Sequence, residues 1–459
     1  MHVRARSWEL QQSLNDHLLT ARDGAERVAE LHTLVYRERV VQPSYETTFN
    51  VLPAPLLLEA ADHERLTADM ARFTDLLLDL PRRLYGGDLA RMCRDVGMGP
   101  LETRSICAVG SDAPVAFARW DLFETERGWR LIEVGVGGGM GLGDVGDLNR
   151  LQLADPLVGP FLCRHGLGFR DPLEAFAADV RRACTAAGMP EAAMVAVVDW
   201  TRYHRQCAAF LDRYAAAMRR VGFRAQPCHV RQLERRDGRL HLGDQVLDAL
   251  VMNYLLEDLS QDPDDIEAIL ASQVDRSVLS VMTHYGDLVG SKGSLALLWR
   301  AMEEGRLAPA EAELVSGYVP ETRIVEPGPL RLLGVEGNAA GVLTALQRRL
   351  VLKPVVGSGS AGVFLGPACD DGTWQSAVRS ALDAPRTYVA QRLVEPAPVP
   401  LPVLDGTGAL ALAERTILLS IYVVAGAGHA GYVVRYGRPG PPSLVGTSYG
   451  AEIAAVFHP

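Results

Sequence analysis

The sequence predicts a mixed α/β and α+β protein, and three observations carry that prediction. The first hundred residues show helical periodicity, the middle of the chain holds a strand, helix, strand unit, and strand-rich segments flank two glycine clusters. At 459 residues the chain exceeds one ordinary core, which implies roughly two or three lobes.

Residues 1–104 read as a helical N-terminal region. Leu14, Leu18 and Leu19, then Val28, Leu31, Leu34 and Val35, and later Leu66, Met70, Phe73, Leu76 and Leu77 recur at the spacing of one helix face. From Ser105 to Glu133 the pattern turns to strands. Arg119-Trp120-Asp121-Leu122-Phe123 and Trp129-Arg130-Leu131-Ile132-Glu133-Val134-Gly135 read as a β-hairpin bearing two carboxylates, and residues 105–160 close with the glycine cluster Gly135 to Gly146. Within 161–285, the apolar run Met194 to Asp199, a helix around Gln206 to Arg220 and a strand near Arg224 form a small parallel βαβ unit, with Asp248 to Tyr254 as its next strand.

The chemistry concentrates farther on, in residues 286–395. Leu350-Val351-Leu352-Lys353-Pro354 followed by a loop with Gly357, Ser358, Gly359 and Gly362 reads as strand, cation, glycine loop, strand. Glycines let a loop backbone approach an anion closely, and the lysine supplies a point charge. Gly290-Ser291-Lys292-Gly293 places a second lysine at the mouth of an apolar helix, where the helix dipole adds positive potential. Tyr388 to Glu395 looks like a strand running into a hinge that includes Gln391, Arg392 and Leu393. Pro396 to Pro402, with four prolines, reads as a linker opening the last segment, 396–459. Ile417 to Val434 is apolar enough to suggest a membrane, but its Ala425-Gly426-Ala427-Gly428 turn makes it two buried strands of a hairpin.

Several classes are disfavoured. A formal net charge of −10 argues against a nucleic-acid partner. Seven dispersed cysteines without a Cys-x-x-Cys fit reduced thiols in a cytoplasm, and the first ten residues lack an apolar signal core. Gly141 to Gly146 and Gly357 to Gly362 both match Gly-x-Gly-x-x-Gly. The first does not directly follow a strand and the second runs into a strand, so a dinucleotide oxidoreductase is the weaker reading. Cys207 near His204 reads as packing.

Two lysines for phosphates and two carboxylates for a divalent metal, with the carboxylates first in the chain, resemble the circularly permuted ATP-grasp ligases of the glutathionylspermidine synthase type. That family carries an Arg-x-Asp strand, a Leu-Glu-x-Asn strand, a Ser-Asn-Lys-Ala helix start and a Lys-Pro-x-x-Gly-Arg-Glu-Gly loop, and the resemblance spans residues from about 115 to 450. It implies an ATP-grasp fold with a pre-ATP-grasp βαβ lobe and an ATP lid over 286–395. It also implies Mg2+ on Asp121 and Glu133, ATP phosphates on Lys292 and Lys353, and an adenine hinge at Gln391, Arg392 and Leu393. Arg119 and Arg435, the latter in Gly431 to Gly437, would meet the transferred phosphoryl group or the acid substrate. Glu257 or Asp258 would hold an amine. Small-molecule carboxylate and amine substrates follow as partners, with no membrane and with a homo-oligomer left open. Two departures stand out: Gly135 replaces the family's Asn, for which Asp144 or Asp147 would have to substitute, and Ser358 replaces the loop Arg. They keep open an ATP-binding protein without turnover.

Overall fold

The computed structural model describes residues 8–37, 50–52, 54–111, 116–204, 207–260, 263–405, 407–440, 444–446 and 449–459. Its largest sheet has seven strands. Six run in the order Asn50–Val51, Glu452–Ala454, Gly428–Gly437, Leu410–Val424, Phe117–Thr125 and Gly128–Val136, and Pro398–Leu404 pairs with Leu410–Val424 off this path. The predicted 417–434 hairpin is the pair at its centre, turning at residues 425–427. Every residue from Ile417 to Val424 is buried because both faces of that strand are covered. Leu419, Ile421 and Val423 share a core with Leu66, Phe73 and Leu77 of the helix Ala60–Tyr85. Tyr422 and Val424 point the other way, toward Phe176 of the helix Pro172–Ala186. This alternation leaves one stretch of the second face, near Ser420, for polar side chains.

A second sheet, Leu279–Val281, Ala249–Met252, Met194–Asp199 and Arg224–His229, is wholly parallel, as the apolar middle segments predict. A third, antiparallel sheet orders Thr322–Ile324, Tyr388–Arg392, Leu350–Pro354 and Phe364–Leu365. It is backed by Trp374 and Val378 of the helix Asp371–Asp383 and by Leu343.

Two expectations are corrected. The strand pattern does not begin at Ser105, since Pro100–Val109 is a helix with Pro100 at its first position and Ser105 and Ile106 buried, and the strand starts at Phe117. Pro396 to Pro402 is not a linker, since Pro398–Leu404 pairs antiparallel along Leu410–Val424. The prolines sit at every second position, so their missing donors all face away from the partner strand. The outward carbonyl of Pro400 accepts from Asn15 Nδ2 at 3.0 Å. Among the described residues no helix is long and apolar enough to cross a membrane.

Candidate active site

Strand register assembles the first half of the site. Glu133 lies opposite Asp121, and Asp121 opposite Ser420, so the three occupy one row across three strands and face one side. Arg119 is two residues before Asp121 and therefore on the same face, and Arg435, opposite Leu418, reaches in from the next strand. Arg119 forks onto Asp121, Nε to Oδ1 at 3.1 Å and a terminal nitrogen to Oδ2 at 3.0 Å. Arg435 donates to Asp121 Oδ2 at 2.7 Å and to Ser420 Oγ at 2.9 Å, while Ser420 donates to Asp121 Oδ1 at 2.7 Å. Burial alone would raise the Asp121 carboxyl, but Arg119, Arg435 and Ser420 outweigh it and hold the group down at about 2.

The third sheet and one helix bring the lysines. Lys353 ends a buried strand, and its ammonium donates to Gln391 Oε1 at 2.9 Å and to the Ile132 carbonyl at 3.0 Å. That carbonyl is free because the pairing shifts register between Asp121 and Leu122, leaving Ile132 as the extra residue of a bulge. Gln391 is itself anchored by donating to Thr322 Oγ1 at 3.0 Å. Burial, helped by Lys292, lowers Lys353 to about 8 against the opposing pull of Glu133. Lys292 opens the helix Lys292–Glu303, whose N-cap Ser291 accepts from the Ser294 N–H. Its ammonium donates to the Gly357 carbonyl at 3.0 Å and lies 3.6 Å from Glu133.

These groups border a cleft of about 550 Å³ lined by Arg119, Asp121, Glu133, Lys353, Gly359 and Arg435, and an adjoining recess of about 110 Å³ lined by Lys292, Glu257, Asp287, Gly357 and Ser358. The glycine loop bends through positive φ at Gly359, Ser360 and Gly362, and a Cβ on Gly362 would meet Pro354 at 3.0 Å. Glu257 accepts from the Ser358 N–H at 3.2 Å and from the Ser358 hydroxyl, so a carboxylate occupies a loop donor of the kind that grips anions.

The chain shares its fold with a glutathione synthetase-like effector. That structure, from Globodera pallida, superposes with a TM-score of 0.62 at 13% identity over 95% of this chain and 96% of the other. A putative gamma-glutamylcysteine synthetase from Methylobacillus flagellatus gives a TM-score of 0.46 at 13% identity over 85% and 88% of the two chains. D-alanyl-alanine synthetase A from Vibrio cholerae gives 0.28 at 10% identity over 50% and 67%. The fold assignment rests on the first alone. No family model matches the sequence, and no curated protein matches it.

Several expected site residues land differently from their sequence reading. Gln391 is buried and holds Lys353 in place. The N–H groups of Arg392 and Leu393 already donate to the Glu321 and Arg349 carbonyls, both at 2.8 Å, so they cannot read a base edge. Leu393 and Val394 line the cleft with apolar surface and also border an adjoining groove, which Arg392 lines with Arg130, Arg348 and Arg349. Asp258 is buried and accepts from the Leu255 N–H at 2.9 Å, which closes a local turn. Neither Asp144 nor Asp147 lines the cleft or the recess; Asp144 is half-buried and raised to about 6 by desolvation, and Asp147 pairs with Arg150. Ser420 and Asp287 went unread in the sequence. Ser420 was signalled only as a hydroxyl inside an apolar run, and Asp287 by nothing local.

Five cationic side chains (Arg119, Lys292, Lys353, Arg435 and Arg438) and five carboxyl groups (Asp121, Glu133, Glu257, Asp287 and Glu395) line the cleft and recess together, so the pull on an anion is local, where Lys292 and Lys353 flank Glu133. Lys292 and Lys353 fit a triphosphate. The fit to a magnesium ion is uneven. Glu133 is partly exposed between the lysines and offers free carboxylate oxygen, whereas the four acceptor directions of Asp121 are all taken by Arg119, Arg435 and Ser420.

Proposed function

We propose that the chain is an ATP-dependent carboxylate–amine ligase of the circularly permuted ATP-grasp type, joining amino acids or a short peptide in the cytoplasm. The observation that carries this reading is the convergence of Lys353, Arg119 and Arg435 on one cleft, and of Lys292 on its adjoining recess, beside a glycine loop and a partly exposed Glu133. In this reading Lys353 and Lys292 hold ATP phosphates, and Leu393 and Val394 cover the base. Glu133 holds magnesium, which would neutralise and orient the phosphates. A substrate carboxylate, forked by Arg119 or Arg435, attacks the γ-phosphorus as ADP leaves. Both arginines face the developing charge. The amine nitrogen then attacks the acyl carbon, phosphate departs, and the nitrogen gives up a proton. In the same reading Glu257, in the recess behind Lys292 and beside Asp287, would receive the ammonium group. Asp287 is half-buried with one carboxylate oxygen shielded from solvent, and desolvation raises it well above the usual carboxylate range, with Glu257 adding to it. All seven cysteines are free thiols, in keeping with a cytoplasmic setting.

A second reading, nucleotide binding without turnover, is favoured by the full commitment of Asp121 to its arginines. Incubation with MgATP and pools of amino acids and short peptides separates the two. ADP release that needs one acid and one amine, with a product lighter than their sum by one water, supports the ligase. AMP and pyrophosphate would replace phosphoryl transfer by adenylation, and binding without release of either would establish the second reading.

A further inference from the structure

We infer that His63, His429 and His458 form a binding site for a divalent transition-metal ion, with zinc as the best match, outside the nucleotide cleft. The three come from distant parts of the chain: the first turns of the helix Ala60–Tyr85, the start of the strand Gly428–Gly437, and the residue after the strand Val456–Phe457. Pairing brings them together. Leu56–Leu57 runs parallel to Val456–Phe457, and His458 exchanges backbone hydrogen bonds with Gly168 at 3.0 and 2.8 Å. One ring nitrogen from each histidine lies within 4.8 Å of the other two. The His63 and His458 rings stack at 4.0 Å, and His429 stands edge-on to both at 5.1 and 5.2 Å. None of the three lines the cleft or its recess.

The hydrogen bonds around the rings suit ligands. Pro459 can only accept through its carbonyl, so His458 carries its proton on Nδ1, 2.9 Å away, and presents a bare lone pair on Nε2. His63 Nδ1 is held 2.9 Å from the Tyr432 hydroxyl, which fixes that ring from its far side. The Nε2 atoms of His429 and His458 are buried without a hydrogen-bond partner among the described residues. An orphaned buried nitrogen is unfavourable, and two at one place are accounted for by an ion between them. Arg170 near His429 acts against a cation there, and Asp62, near Tyr432, acts for it.

Three imidazoles with no thiolate select zinc-type ions over magnesium or calcium, and leave a fourth position for water. Tetrahedral zinc needs ligand nitrogens roughly 3.3 Å apart, so binding tilts His63 out of its stack on His458. The ion would tie together three segments that are distant in sequence.

The test uses the full chain, stripped with a chelator and titrated with Co2+ and then Zn2+. Wild type and a His241→Gln control are expected to take up one equivalent of Co2+ with the visible bands of a tetrahedral nitrogen site, and Zn2+ should raise Tm by several degrees. His429→Gln and His458→Gln should lose both responses while their metal-free Tm stays near that of wild type. Equal binding by these variants, or no sub-micromolar binding by wild type, overturns the proposal. Should the variants not fold, nitrogen NMR of histidine-labelled wild type decides: zinc must shift the resonances of three rings, and unshifted rings refute the site.

Discussion

Replacing Lys353 by Met is expected to change how stability responds to alkaline pH. Lys353 is buried, and its ammonium titrates at about 8 where an unperturbed lysine titrates at 10.5. The charged form is therefore worse off folded than unfolded. Between pH 8 and 10.5 the unfolded chain binds more protons, so stability rises with pH; the penalty is fully present below pH 8 and gone above 10.5. A difference of about 2.5 pH units at 1.36 kcal/mol each amounts to about 3 kcal/mol. The Met variant lacks this term. It also leaves the Ile132 carbonyl and Gln391 Oε1 without their donor, at about 1–3 kcal/mol each, but that loss does not vary with pH and shifts only the baseline. Urea unfolding of both proteins across this window is the assay, with the wild-type minus variant difference as readout. That difference should climb by about 3 kcal/mol, while nucleotide affinity of the wild type declines above pH 8 as the charge is lost. A flat difference would refute the claim that burial sets the Lys353 charge.

Ser420→Ala removes a hydroxyl that donates to Asp121 and accepts from Arg435, and should cost about 1.5–3 kcal/mol in chemical denaturation. The Asp121 carboxylate stabilises the fold above its unfolded pKa and loses that contribution as pH falls through about 2, so the variant's acid unfolding should begin at higher pH. Gln391→Leu takes away the acceptor that orients Lys353. Nucleotide Kd measured by calorimetry should rise about tenfold, near 1.4 kcal/mol, with Gln391→Glu retaining most of the affinity. Glu257→Ala frees the Ser358 donors of the glycine loop, and the nucleotide should then bind about fivefold more tightly, a gain of about 1 kcal/mol. Unchanged affinity would mean that the loop does not hold phosphate through Ser358.

What the sequence determined by itself is local. Period-two spacing places Arg119 and Asp121 on one face, helical spacing marks Leu66 to Leu77, and the order lysine, proline, glycines gives a strand that ends in a bent loop. Those patterns depend on backbone geometry over a few residues, so they can be read without knowing what lies opposite. Tertiary structure decided which strands became neighbours. Ser420 meets Asp121 across 299 positions of sequence, Gln391 turns from a hinge residue into the support of Lys353, and the Ile132 bulge supplies that lysine's second acceptor. The alternating prolines of 398–402 suit a linker in isolation and become a strand only because a long apolar neighbour pairs with their free side. His63, His429 and His458 converge in the same way. Register between distant segments is set by burying the common core, and a pairing energy spread over that whole core leaves no local signature in the residues it brings together.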